Sequence, residues 1–94
     1  MARAAVIAKR FFVRGRVQGV GFRYFAQRVA SELAVTGYAR SLDDGRVEVY
    51  AVGRAEQLSE LAGRLSKGPR FADVRGVEEQ DAAVQQYDAF SIEA

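Results

Sequence analysis

The sequence predicts an α+β domain in which two helices pack on one face of a mainly antiparallel sheet. Two stripes of apolar residues at helical spacing predict the helices, one in residues 22–33 and one in residues 58–65. Segments rich in Val, Phe and Tyr precede, separate and follow these stripes, and they predict strands. The elements therefore follow the order β, α, β, β, α, β, with one more short strand at the C-terminal end.

The first strand and the first helix meet at a pair of glycines. A strand is predicted from about Ile7 to Val17, because this segment is rich in Phe and Val. The run QGVG at residues 18–21 interrupts it, and a helix is predicted from about Phe22 to Leu33. The apolar stripe of this helix consists of Phe22, Phe25, Ala26, Val29, Ala30 and Leu33.

A hairpin is predicted in the middle of the chain. Residues 36–41 and 46–53 flank the sequence LDDG at residues 42–45, and Asp-Gly is a strong signal for a hairpin turn. The second of these runs alternates apolar and polar residues, as a strand with one buried face does. The two segments are therefore predicted to pair as antiparallel strands.

The second half of the chain repeats the order of helix and strand. A second apolar stripe ends before Gly68-Pro69, a pair of residues that stops a helix. The members of the stripe are Leu58, Leu61, Ala62 and Leu65. Strand-like segments follow at about residues 72–78 and 89–93. This order is the split βαβ arrangement, so the sequence predicts a ferredoxin-like plait.

Length and composition predict one domain that spans residues 1–94. A chain of 94 residues buries roughly two-thirds of the surface of its unfolded form, which is enough for one core. The sequence is 49% hydrophobic and 28% charged, a balance that excludes intrinsic disorder.

The residue types that the sequence lacks exclude several kinds of chemistry. There is no Cys and no His, so disulfides, thiolate nucleophiles, serine–histidine triads and Cys- or His-ligated metals are excluded. Asn and Trp are absent as well. Catalysis therefore has to use Arg, carboxylates, hydroxyls and backbone amides.

Charge is unevenly distributed along the chain. Residues 1–31 contain seven Arg or Lys and no acidic residue, a pattern that predicts a basic pole able to attract anions. Only five consecutive apolar residues precede Lys9, too few for the core of a signal peptide, and no segment is long enough to span a bilayer. The expected location is cytoplasmic.

The most informative segment runs from Gly15 to Arg23. A glycine-rich turn from a strand into a helix leaves backbone N–H groups without partners at the positive end of the helix dipole, where an anion can bind. The turn lacks the Gly-Lys-Ser/Thr of a Walker A loop and the third glycine of a dinucleotide fingerprint. Arg23 adds a cation where the dipole disfavours one, and a bound anion would compensate for this.

The run GRVQGVGFR at residues 15–23, followed by GYARSLDDGRVE at residues 37–48, closely resembles the acylphosphatase family. The similarity extends through Gly53, the second helix, Gly68-Pro69 and the closing FSI at residues 90–92, so it covers nearly the whole chain. It implies a ferredoxin-like plait that hydrolyses acyl phosphates to a carboxylate and inorganic phosphate without a metal or cofactor.

The resemblance also implies the site residues. In the family, the backbone N–H groups of the glycine-rich loop surround the phosphate, and the Arg that matches Arg23 binds the same group. Ser41 matches the residue that orients the attacking water. The phosphate-binding set implied for this chain is Arg16, Val17, Gln18, Gly19, Val20, Gly21, Phe22 and Arg23.

The sequence departs from the family pattern at two positions. The family has Asn where this chain has Ser41, which predicts reduced catalytic activity. The family commonly has Gly at the end of the first helix, where this chain has Ala34. An Ala in the left-handed conformation there would cost about 1 kcal/mol.

Two other functions remain open. An acylphosphatase-like domain with little activity could bind anions or a partner, and Ser41 favours this alternative. An RNA-binding plait is less favoured, because the Gly-Phe motif of such modules lies on a strand, whereas Phe22 and Phe25 here belong to the apolar stripe of a helix. The expected ligands are an acyl phosphate and inorganic phosphate or sulfate, with no nucleic acid or membrane, and the expected state is a monomer.

Two further groups of residues have simpler explanations than catalysis. Asp43 and Asp44 precede a glycine in the hairpin and are expected to form the turn rather than an acid–base pair. Tyr24, Tyr38 and Tyr87 have no partner residues that would make them catalytic.

Overall fold

The computed structural model describes residues 5–94. Residues 1–4, which belong to the expected domain and include the basic Arg3, lie outside the described range. The elements are β1 (Ile7–Arg16), α1 (Phe22–Glu32), β2 (Thr36–Ser41), β3 (Val47–Gly53), α2 (Ala55–Lys67), β4 (Asp73–Ala82) and β5 (Phe90–Glu93). This is the predicted order, and the predicted boundaries of β1, α1, β2, β3 and β5 are correct to within one residue.

The strands form one five-stranded sheet in the order β4-β1-β3-β2-β5. Strand β1 pairs antiparallel with both β3 and β4, β2 pairs antiparallel with β3, and β5 joins β2 in parallel. A register shift between Arg14 and Gly15 interrupts the pairing with β4 just before β1 ends. The ferredoxin-like plait is thus confirmed.

Strand β4 ends four residues later than its sequence suggests. Its last four residues, from Glu79 to Ala82, include acidic and amide residues that are uncommon in strands. These residues nevertheless pair with the first residues of β1, so that Lys9 faces Asp81 and Phe11 faces Glu79. Cross-strand pairing therefore outweighs local propensity in this segment.

The hydrophobic core lies between the sheet and the two helices. The apolar stripes of both helices pack against one face of the central strands, as their periodicity predicts. The fully buried residues of this core include Phe11, Val13, Phe22, Ala26, Val29, Val47, Val49, Leu58, Leu61 and Leu65. Burying one such Leu or Phe side chain contributes about 1.5–3 kcal/mol, so this layer fixes the helices on the sheet.

The opposite face of the sheet carries an aromatic cluster. The rings of Tyr38 and Tyr50 stack with centroids 5.5 Å apart, and Tyr87 contacts both. The Tyr50 hydroxyl donates to the carbonyl of Ala83 at 2.6 Å and accepts from the N–H of Gln85 at 2.8 Å. The connection between β4 and β5 is thereby held against this face.

Glu48, 3% exposed, lies beside the aromatic cluster. It accepts hydrogen bonds from the Tyr38 hydroxyl at 2.9 Å and from Arg40 Nε at 2.7 Å. Arg10 Nε lies 2.8 Å from Glu48 Oε2, the oxygen that also accepts from Tyr38, in an ion pair whose N–H is not aligned for a hydrogen bond. Burial and the bond to Glu48 raise the pKa of Tyr38.

The basic N-terminal segment does not form a continuous positive surface. Lys9 pairs with Glu79 and Asp81 of β4, at 2.8 and 3.7 Å, and Arg10 pairs with Glu48 of β3. These acidic residues come from residues 32–94, which contain all twelve acidic residues of the sequence. Sheet formation therefore neutralises part of the predicted basic pole, and its other described members lie towards the end of β1 and in α1.

Helix α1 ends as its sequence predicts. Ala34 has φ 58°, a left-handed conformation that is unusual for a residue with a side chain. The N–H of Ala34 donates a hydrogen bond to the carbonyl of Ser31. The N–H of Val35 donates one of 2.8 Å to the carbonyl of Ala30. These bonds satisfy carbonyls at the helix end. Ala34 therefore carries the steric cost expected of a left-handed Ala at this position.

Candidate active site

The site begins at the glycine-rich loop, residues 17–21, which connects β1 to α1. Gly19 and Gly21 have φ values of 75° and 78°, in the left-handed region that residues with side chains rarely adopt. Gly21 also forms the N-cap of α1 and, having no side chain, leaves the first amides of the helix uncapped. The two glycines therefore turn the chain sharply and keep its N–H groups accessible.

The backbone amides of this turn have no acceptors in the protein. Among the described residues, no N–H group from Gln18 to Tyr24 forms a well-aligned hydrogen bond to a protein acceptor, and the first to do so is that of Phe25, which bonds to the carbonyl of Gly21 at 3.0 Å. The first turn of α1 contains no acidic residue. Unpaired donors at the positive end of a helix dipole are an arrangement suited to binding an anion.

These amides border a cavity of about 220 Å³, called the site cavity below. It is lined by Val17, Gln18, Gly19, Gly21, Phe22, Arg23, Tyr24 and Ser41. Arg23 and Ser41, which are distant in sequence, thus lie on one cavity. Arg16 and Val20 do not line it: Arg16 is exposed at the end of β1, and Val20 packs partly against the core.

Arg23 is anchored from the far end of the chain. Its Nη1 donates a hydrogen bond of 2.9 Å to the backbone carbonyl of Glu93 in β5. This acceptor is neutral, so it fixes the guanidinium without removing its charge. A guanidinium carries five N–H donors, and those not used by Glu93 can bind a ligand bidentately. The sequence indicated that Arg23 needs a compensating partner but could not identify this carbonyl.

Gln18 connects the glycine-rich loop to the β2–β3 hairpin. Its side-chain amide donates to the carbonyls of Leu42 and Arg46, at 2.8 and 3.0 Å. Ser41, the last residue of β2, immediately precedes this hairpin turn. The Gln18 side chain therefore holds Ser41 and the loop in a defined relative position.

Asp44 stabilises the hairpin turn, as expected. Its carboxylate accepts from the backbone N–H of Arg46 at 3.1 Å and from Arg46 Nε at 2.8 Å. The bond from the Arg46 backbone lowers the pKa of Asp44.

Across residues 5–94, no group of three or more His, Cys, Asp or Glu could hold a metal ion. None of the described helices is long and apolar enough to cross a membrane.

Comparisons with known proteins identify relatives over almost the whole chain. The family model described as Acylphosphatase matches residues 9–92. An acylphosphatase of Solibacter usitatus (strain Ellin6076) is 68% identical over 85 residues, which cover 90% of this chain and 88% of that protein.

Solved structures agree with these sequence matches. An acylphosphatase from Coxiella burnetii superposes with a TM-score of 0.93 at 32% identity, over 99% of this chain and 100% of that one. An acylphosphatase from Bacillus subtilis superposes with a TM-score of 0.91 at 34% identity, over 96% of this chain and 100% of that one.

Proposed function

Since this chain belongs to the acylphosphatase family, we propose that the glycine-rich loop and Arg23 bind the phosphoryl group of its substrate while Ser41 orients the attacking water. The chain functions as an acylphosphatase, a hydrolase whose substrate is a small-molecule acyl phosphate. The observation that carries the residue assignment is the site cavity, where unpaired amides, a guanidinium and a hydroxyl meet.

The electrostatics of the site cavity suit a phosphoryl group. Backbone N–H groups at the helix N-terminus donate to phosphate oxygens, and the guanidinium of Arg23 adds a full positive charge. Both are fixed before the substrate arrives, the amides by α1 and the guanidinium by the carbonyl of Glu93. Such preorganised donors stabilise the charge that spreads over the phosphoryl oxygens in the transition state.

The reaction then requires little further chemistry from the protein. The oxygen of a water molecule held by Ser41 attacks phosphorus, the bond from phosphorus to the acyl oxygen breaks, and the carboxylate leaves with the electron pair. A phosphoryl oxygen accepts the proton from water, so no protein base is needed. Because a carboxylate is a good leaving group, positioning and charge stabilisation supply most of the rate enhancement.

The decisive experiment replaces Arg23 with Ala. A charge-assisted contact to phosphate is worth roughly 1.5–3 kcal/mol, so Arg23→Ala should weaken phosphate binding about ten- to a hundredfold. Calorimetry with inorganic phosphate measures this, and turnover of benzoyl phosphate should fall in parallel. Arg28→Ala is the matched control, because Arg28 lies exposed on the same helix against the ring of Phe25. Equal phosphate affinity in wild type and Arg23→Ala would refute the assignment.

The alternative of an anion-binding domain with little activity depends on Ser41. Ser41 lines the site cavity, but its hydroxyl is shorter than the carboxamide of Asn and rotates freely. Phosphate binding without measurable turnover of benzoyl phosphate in the wild-type protein would favour this alternative.

RNA binding is disfavoured by the burial of the aromatic motif. Phe22 is 1% exposed in the core and its ring contacts Phe25, so neither ring is presented on the sheet to stack on a base. Retention of single-stranded RNA on filters across a salt series would contradict this. Binding of sulfate, the monomeric state and the cytoplasmic location stay predictions.

A further inference from the structure

The site cavity has one large exposed side chain on its wall, that of Tyr24. Tyr24 is 68% exposed, whereas the other aromatic residue of the cavity, Phe22, is buried against Phe25. In the part of the chain that the structure describes, the Tyr24 side chain has no hydrogen bond and no aromatic or cationic partner. Its ring is therefore available to a ligand.

Position, not exposure, distinguishes Tyr24 from other apolar surface residues. Single exposed apolar side chains are normal on proteins. Val6, Phe71 and Val84 are also exposed, but none of them lines the site cavity. Tyr24 follows Arg23 directly in the first turn of α1, so a ring and a phosphate-binding guanidinium border the same space.

The other walls of the site cavity offer little to an acyl group. Gly19 and Gly21 have no side chains, and the side-chain amide of Gln18 is held by the hairpin carbonyls. Ser41 is small and polar. With the phosphoryl group against the loop amides and Arg23, the ring of Tyr24 is the one exposed apolar surface of the cavity that the acyl group can contact.

We infer that Tyr24 recognises the acyl group and gives the site a preference for acyl phosphates with aromatic or bulky apolar acyl groups. This inference rests on the proposed function, because it needs the phosphoryl group in the loop. Contact between two aromatic rings strengthens binding roughly three- to tenfold beyond the burial of area. Benzoyl phosphate should therefore be a better substrate than acetyl phosphate by at least this factor, through the lower KM.

The test separates the two ends of the substrate with phosphonates. Phenylphosphonate and methylphosphonate carry the same anionic group and differ only in the group attached to it. The preference is the ratio of the affinity for phenylphosphonate to that for methylphosphonate. Calorimetry should show that Tyr24→Ala reduces this ratio about three- to tenfold while the affinity for inorganic phosphate stays unchanged. Tyr24→Phe should keep the preference. The ratio of kcat/KM for benzoyl phosphate to that for acetyl phosphate should follow the same order.

Phe71→Ala is the matched control, since Phe71 is an aromatic residue as exposed as Tyr24 but outside the site cavity. Phe71→Ala should leave unchanged both the preference for phenylphosphonate over methylphosphonate and the ratio of kcat/KM for benzoyl phosphate to that for acetyl phosphate. An unchanged phenylphosphonate preference in Tyr24→Ala, with normal phosphate binding, would overturn this inference and leave the proposed function intact. Failure of the proposed function has a different signature, namely wild-type phosphate affinity in Arg23→Ala.

Discussion

Gln18 and Leu42 join the two halves of the active site. The side-chain amide of Gln18 donates a 2.8 Å hydrogen bond to the carbonyl of Leu42, and the same nitrogen lies 3.0 Å from the carbonyl of Arg46. The loop that we propose to bind the phosphoryl group is thus attached to the hairpin that begins after Ser41. Under the proposed function, this contact sets the geometry between phosphate binding and water orientation.

Removing the contact should impair catalysis more than stability. Gln18→Ala loses two exposed hydrogen bonds and should lower the free energy of unfolding by about 1 kcal/mol in urea titrations. Since small misplacements of reacting groups are costly, kcat for benzoyl phosphate should fall about tenfold. Gln86→Ala removes an exposed glutamine that does not line the site cavity and should change neither quantity. A Gln18→Ala enzyme with wild-type kcat would show that the loop and hairpin keep their positions without this side chain.

Replacing Ser41 with Asn should accelerate the enzyme. The carboxamide offers an acceptor and two donors at a fixed reach, so it should hold the attacking water better than a rotating hydroxyl. We expect kcat for benzoyl phosphate to rise at least about tenfold, a gain of roughly 1.4 kcal/mol in transition-state stabilisation. Inhibition by inorganic phosphate should stay nearly unchanged. Ser91→Asn, on the exposed side of β5, is the control, and a Ser41→Asn variant no faster than wild type at saturating substrate would contradict the assignment.

Ala34→Gly should stabilise the fold. Ala34 has φ 58°, and glycine adopts this conformation without the steric cost that a Cβ imposes. The expected gain is about 0.5–1 kcal/mol, or roughly 2–8 °C in Tm for a domain of this size. Gly63→Ala is an informative companion, because Gly63 lies within α2 with open space where a Cβ would project, and there Ala should stabilise. A lower Tm for Ala34→Gly would mean that the Ala side chain contributes more than the strain costs.

The contact between Tyr38 and Glu48 should make stability depend on alkaline pH. The pKa of Tyr38 is raised above its ordinary value of 10.0, mainly because the hydroxyl is buried and also because it donates a hydrogen bond to Glu48. When the pKa of a group is higher in the folded than in the unfolded protein, the group stabilises the fold at pH values below its pKa in the unfolded protein. This stabilisation is lost as the pH rises through its pKa in the folded protein.

Wild type should therefore exceed Tyr38→Phe in stability by about 1–2 kcal/mol near pH 8, and the difference should shrink above about pH 10. Urea titrations at both pH values measure it. A difference between the two proteins that stays constant across this range would rule out the titration of Tyr38 as its cause.

The sequence was sufficient for the elements and for the loop. Helical periodicity places Phe22 and Leu58 in the core whatever their neighbours are, because the 3.6-residue repeat alone puts an apolar stripe on one side of a helix. The paired glycines at 19 and 21 likewise predict an uncapped helix N-terminus from local conformation. At Ala34, the glycine that the family commonly has there pointed to a left-handed residue, and Ala34 has φ 58°.

Only the tertiary structure decided which distant groups meet. The acceptor for Arg23 is a backbone carbonyl of Glu93, and every residue has such a carbonyl, so no side-chain pattern distinguishes it. The length of β4 and the ion pairs of Lys9 arise from pairing with another strand, which local propensity does not encode. The place of Tyr24 on the site cavity depends in the same way on the packing of α1 beside β2. Local conformation is determined by nearest neighbours along the chain, whereas contacts between remote residues depend on how the elements pack, and a single sequence records that packing only indirectly.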